Sequence, residues 1–143
     1  MGGAFHSEIG EHSMFAASDY MITIVELHSF QGDVEKVLTE EEMDELAEFI
    51  AANPHFGDVI AGTGGVRKLK WNARKYGARA NARVIYYFRD LNMPVFLLAI
   101  FAPGEKMPMT VKDRETMKDL VGQLVEEYGA RWQNIVAIDK GPA

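Results

Sequence analysis

GGVRKLKWNARKYGARANARVIYYFR, residues 64–89, is the stretch from which the rest of this chain is read. It contains two short runs in which side chains alternate from face to face with a period of two, the signature of a half-buried strand. In VRKLKW, residues 66–71, Lys68 and Lys70 fall on one face and Leu69 and Trp71 on the other. In RVIYYFR, residues 83–89, Arg83, Ile85, Tyr87 and Arg89 fall on one face and Val84, Tyr86 and Phe88 on the other. The segment between them, 72–81, is polar, small and basic. It is too long for a tight hairpin and reads as a projecting loop between antiparallel strands. If Arg83 and Tyr87 share the face of Lys68 and Lys70, the two strands present a basic concave surface with a phenol on it.

Charge sets this stretch apart. Between Asp58 and Asp90 there is no acidic residue, yet Arg67, Lys68, Lys70, Arg74, Lys75, Arg79, Arg83 and Arg89 supply eight of the chain's fifteen basic residues. The remaining seven face all twenty-one acids, so the flanks carry about −14 and the stretch +8 within a formal net charge of −6. Two readings follow. Either the acids are a solubilising shell, or a focused basic site is set on a background that repels polyanions elsewhere. The second is preferred, because an ordinary solvated face mixes its signs, and a one-sided positive field collects polyanions.

Working outward, residues 60–65, IAGTGG, have neither the lysine and hydroxyl residue of a P-loop nor the spacing of a dinucleotide fingerprint; they read as a flexible turn. Upstream, Ile22 to Leu27 reads as a first strand. Phe30, Val34, Val37 and Leu38 form a helical stripe with Gly32 weakening its first turn. Thr39 then stands three residues before Glu42, a capping-box spacing, and Met43, Leu46, Ala47 and Ile50 give the next helix its apolar face up to Asn53-Pro54. These two helices are expected to pair antiparallel, with Glu40, Glu41, Asp44, Glu45 and Glu48 on a solvated outer face. Residues 1–20 lack periodicity and read as a flexible tail or an alternative start, with Met14 and Met21 as initiator codons that would suit. Downstream, VFLLAIF, 95–101, is apolar on both faces, as a strand in the middle of a sheet should be. A helix is expected from near Thr110, with Asp113 as the second half of a cap. It carries Met117, Leu120, Val121, Leu124, Val125 and Tyr128 on one side and closes at Gly129. Residues 130–143 are left as a C-terminal extension of a single domain over 21–129.

Composition excludes several classes. A chain of 143 residues, 48% hydrophobic, suits one domain with a real core. With no cysteine there is neither a disulfide nor a thiolate metal site, and a reducing compartment is the natural expectation. His6, His12, His28 and His55 lie outside the basic stretch and none has a histidine partner at helical ligand spacing, which argues against a histidine-held metal. No run approaches a membrane span, and a cytoplasmic protein is expected.

Taken together, GTGGVRKLKW (62–71), ARVIYY (82–87) and the APGEK turn (102–106) resemble the RelE/HigB-type toxins of bacterial type II toxin–antitoxin modules, in the RelE/ParE superfamily. The resemblance covers about residues 22–128. It implies an α+β fold, a small twisted antiparallel sheet of about four strands flanked by two N-terminal helices and a C-terminal helix. It also implies an endoribonuclease that cuts messenger RNA, mostly on the translating ribosome, without metal or other cofactor, and that is silenced by a cognate antitoxin.

Cutting RNA without a metal uses the substrate's 2′-hydroxyl as nucleophile. The protein must then supply a proton acceptor, charge for the transition state and a donor to the leaving oxygen. Lysines crowded by other cations suit the first task. By match to the family's strand lysines, Lys68 and Lys70 are the candidates for base and phosphate clamp. Arg83 matches the arginine opening the second hairpin strand, Tyr87 is added by position, and Lys106 follows the turn that carries catalytic groups in relatives. Arg67, Arg74, Lys75, Arg79 and Arg89 are candidates for binding RNA. The chain departs from the pattern at Pro103-Gly104, where the RelE branch has an arginine, and at Ala80-Asn81-Ala82, where paired glycines are usual. Two alternatives stay open: a non-nuclease toxin of the ParE branch acting on DNA gyrase, and a degenerate module that binds RNA or an antitoxin without chemistry.

Overall fold

The computed structural model describes the backbone of residues 9–17 and 20–140 and the side chains of residues 22–129. The fold is α+β. Among the described residues six strands form one sheet, β1 (Ile9–Ala17), β2 (Tyr20–Leu27), β3 (Asp58–Val59), β4 (Val66–Asn72), β5 (Asn81–Tyr87) and β6 (Val95–Phe101), in the order β1-β2-β6-β5-β4-β3. Helices α1 (His28–Val37) and α2 (Glu40–Ala52) join β2 to β3, and α3 (Val111–Lys140) follows β6.

Three expectations are corrected here. The sheet has six strands rather than about four, and it is mixed: β2 runs parallel to β6, while every other neighbouring pair is antiparallel. The long α1–α2 excursion between β2 and the hairpin strands lets the chain return in the same direction, as parallel pairing requires. Residues 9–17, expected to be a tail, form β1, antiparallel to β2; residues 1–8 and 18–19 lie outside the described ones. A strand without internal periodicity can still be held by its neighbour's backbone. Finally, α3 does not close at Gly129 but continues to Lys140, through most of the expected extension; 141–143 lie outside the described residues. Gly129 has no positive φ, and a Cβ there would meet Arg89 Nη1 at 3.4 Å, an ordinary contact, so it sits inside the helix at the usual cost of a glycine rather than as its end.

The core lies on both sides of the sheet. One layer, under α1 and α2, includes Phe30, Val34, Leu46 and Ile50 against Leu69, Val84, Tyr86 and Leu97. The other, under α3, includes Met117, Leu120, Leu124 and Tyr128 against Val66, Ile85, Tyr87 and Phe96. Strand β6, flanked by β2 and β5, is buried along its whole length, which is why its sequence is apolar without alternation. A bulge between β5 and β6 pairs Ile85 with Ala99 but Tyr86 with Leu97, so Leu98 and Ala99 both face α3. The Ser29 hydroxyl of α1 donates to the Leu98 carbonyl at 2.6 Å.

Both expected caps form. Thr39 N donates to Glu42 Oε1 and Glu42 N to Thr39 Oγ1; Thr110 and Asp113 repeat the arrangement on α3. Hydrogen bonds from the Thr110 hydroxyl and amide hold the Asp113 carboxyl below its usual range. Glu42 does more than cap: its Oε2 also accepts from the Arg74 amide at 2.9 Å and pairs with Arg74 Nε at 3.3 Å. Burial pushes this carboxyl up, but the hydrogen bonds from Thr39 and Arg74 and the Arg74 charge outweigh it and leave it lowered from 4.5. A carboxyl lowered on folding stabilises fully above its unfolded value and loses that contribution as pH falls through the folded one. Glu42→Gln should therefore cost about 2 kcal/mol at neutral pH and flatten the loss of stability below pH 4.5, as read from urea unfolding between neutral and acid pH.

Candidate nucleic-acid interface

Strand register decides which basic side chains meet. Lys70 pairs with Arg83, Lys68 with Ile85 and Val66 with Tyr87. Directly opposed residues share a face, and Val66, Ile85 and Tyr87 belong to the α3-side core. Lys68, Lys70, Arg83 and Tyr87 therefore lie on one side of the sheet, with the two lysines about 7 Å apart along β4. Lys70 is exposed and Lys68 and Arg83 partly so.

Arg83 has a second task. Its Nη2 donates to the Ala102 carbonyl at 3.0 Å and to the Glu105 carbonyl. Between those residues the chain makes a β-turn closed by Glu105 N to Ala102 O at 2.9 Å, with Pro103 second and Gly104 third at φ +81. A positive φ at the third position is what a type II turn asks for, and Pro-Gly supplies it. Glu105 Oε1 accepts from Ala102 N, and exposed Lys106 follows. The departure at Pro103-Gly104 thus builds the turn that Arg83 braces. Arg83 Nε is buried and has no acceptor among the described residues.

Tyr87 is a core residue. Its ring packs under α3, where a Cβ on Gly65 would come within 3.3 Å of Cε1. Burial, against the opposing influence of Arg89, pushes its phenol above the ordinary value, so it stays protonated at neutral pH. It sits at the other end of the register from the Lys70–Arg83 pair.

The residues expected to bind RNA are not brought together. Arg67 points to the opposite side of β4, where Nη1 donates to the carbonyls of His55 and Gly57 at 2.9 and 2.7 Å. The 73–80 connection does not project. It makes a 3₁₀ turn, Arg74–Tyr76, and folds back on the first two helices. Arg74 pairs with Glu42 and Glu45, Lys75 Nζ donates to Glu35 O at 3.0 Å, and the Tyr76 hydroxyl to Lys36 O at 3.2 Å. The acidic face of α2, read as merely solvated, is what draws this basic turn in. Arg79 is exposed in the same connection, and Arg89 lies beyond β5 with Nε 3.6 Å from Asp90.

Two features escaped the sequence reading. In the sequence Tyr86 shows only as part of the other face of its strand. Its buried hydroxyl donates to Pro54 O at 3.0 Å and accepts from Gly57 N at 2.8 Å. Arg114 and Lys118 are masked in the sequence by the apolar stripe of α3; their spacing of four is the signal that marks them.

What the Lys68, Lys70 and Arg83 arrangement can do is bind a phosphodiester. Ammonium and guanidinium groups fixed on one surface favour the extra negative charge of a phosphorane-like transition state. Among the described residues no cluster of three or more His, Asp or Glu side chains is placed to hold a metal, and no helix is long and apolar enough to cross a membrane. No model of a known protein family matches the chain.

Proposed function

We propose that this chain is the toxin of a type II toxin–antitoxin pair of the RelE/HigB kind, a metal-independent endoribonuclease acting on messenger RNA in the cytoplasm, at the translating ribosome. The observation that carries the reading is the β4–β5 register, which places Lys70 opposite Arg83 with Lys68 on the same face. In this reading one strand lysine takes the proton of the 2′-hydroxyl. The other lysine and Arg83 hold the phosphate, and Lys106, presented by the braced turn, serves the leaving 5′-oxygen. The cognate antitoxin neutralises the toxin by binding it.

Induction in a bacterial host, followed by mapping of messenger 5′ ends, tests this. Growth arrest with new cuts inside translated frames is expected, and co-expression of the neighbouring gene should relieve it. Arrest without cuts would instead favour a gyrase-directed toxin of the ParE branch. A second reading, a binding module without chemistry, draws support from Arg83, whose Nη2 is already engaged by two carbonyls of the turn. It predicts RNA binding with neither arrest nor cuts.

A further inference from the structure

The glycine turn between β3 and β4 lies beneath two cations of α3. A Cβ on Gly62 would stand 3.8 Å from Arg114 Cδ, and one on Gly64 would stand 3.6 Å from Lys118 Cγ. The aliphatic stems of both side chains thus run over bare backbone. Neither side chain has an ion pair or a hydrogen bond among the described residues, and Arg114 Nε is buried without an acceptor. Glu115 stands three residues before Lys118, on a neighbouring part of the helix surface, yet forms no ion pair with it among the described residues, and Asp119 is rotated about 100° from Lys118.

This arrangement is unfavourable for an isolated helix. Like charges four residues apart repel, and a cation near the N-terminus opposes the helix dipole. An anion bound between the two would reverse both effects. The turn leads directly into β4, where Val66, Lys68 and Lys70 alternate on the α3 side of the sheet. The cations of the helix and those of the strand are therefore successive stations on one side of the protein.

We propose that Arg114 and Lys118, over the 62–65 turn, form a phosphate-binding subsite for single-stranded RNA that continues the Lys68–Lys70 face. The subsite holds the strand away from the point of cutting. It rests on the reading of RNA as the partner, but not on the cleavage chemistry.

The test is binding of a fluorescent, uncleavable 2′-O-methyl RNA oligonucleotide to the full chain over a range of salt concentrations. Each phosphate contact on a single strand contributes about 0.7 to the slope of log K against log salt. Arg114→Gln with Lys118→Gln should reduce the slope by about 1.4 and weaken low-salt binding roughly tenfold or more. Arg114→Lys with Lys118→Arg should keep the slope. An unchanged slope in the glutamine variant, or no binding by the unaltered chain, would overturn the subsite. If the slope falls but no messenger is cut in cells, the subsite stands and the nuclease reading fails; cuts with an unchanged slope give the reverse.

Discussion

Changing Lys68 and Lys70 together to alanine is expected to lower messenger cleavage by about two to three orders of magnitude, measured by primer extension in a reconstituted translation reaction. The loss is large because the two ammonium groups are assigned the proton transfer and part of the phosphate charge, and groups acting as a unit are not additive. Folding should barely notice. Lys70 is exposed and Lys68 partly so, neither has an ion pair among the described residues, and such substitutions stay within about 0.5 kcal/mol. The lysine pair is a cleaner probe than Arg83, whose removal would also free the Ala102–Glu105 turn and disturb Lys106. Cutting at the unaltered rate with both lysines gone would end the reading of this face as the catalytic one.

Tyr86→Phe should cost about 3 kcal/mol, seen as a fall of about 10 °C in Tm. Tyr86 is fully buried, and its hydroxyl is the shared partner of Gly57 N and Pro54 O. Without it, a buried donor and a buried acceptor lose their bonds at once, and an unmade bond in the interior costs more than a made one gains. The segment cannot shift easily: Arg67 ties His55 and Gly57 to β4, and a Cβ at Gly57 would already stand 2.8 Å from the Tyr86 ring. Tyr87→Phe is the control. Its hydroxyl makes no hydrogen bond among the described residues, so Tm should move by about 2 °C at most. Equal effects of the two changes would show that the Tyr86 bridge contributes little.

The two capping boxes and the faces of the hairpin strands were legible because each is a local rule. Thr39 reaches Glu42, and Thr110 reaches Asp113, within one turn of helix, and strand alternation is set by backbone geometry. The basic stretch was legible as charge but not as destination. Nothing within residues 72–81 says that Arg74 will find Glu42 and Glu45, some thirty residues upstream, rather than a phosphate. Likewise Arg67 and Lys68 are neighbours of the same sign, and one braces a loop while the other joins the candidate site. The β1 strand is not legible because a strand held by pairing needs no hydrophobic period of its own, nor the run-on of α3, because a glycine weakens a helix without having to end it.

By itself the sequence determined the strands and helices with strong periodicity, the caps, and the separation of positive from negative charge. These follow from interactions that span four residues or fewer and from composition. Tertiary structure alone decided the parallel join of β2 to β6, the withdrawal of Arg67, Arg74 and Lys75 from the candidate site, and the convergence of Lys68, Lys70 and Arg83 on the α3 side. Each depends on partners distant in the chain, whose approach is set by how the two core layers close over the sheet.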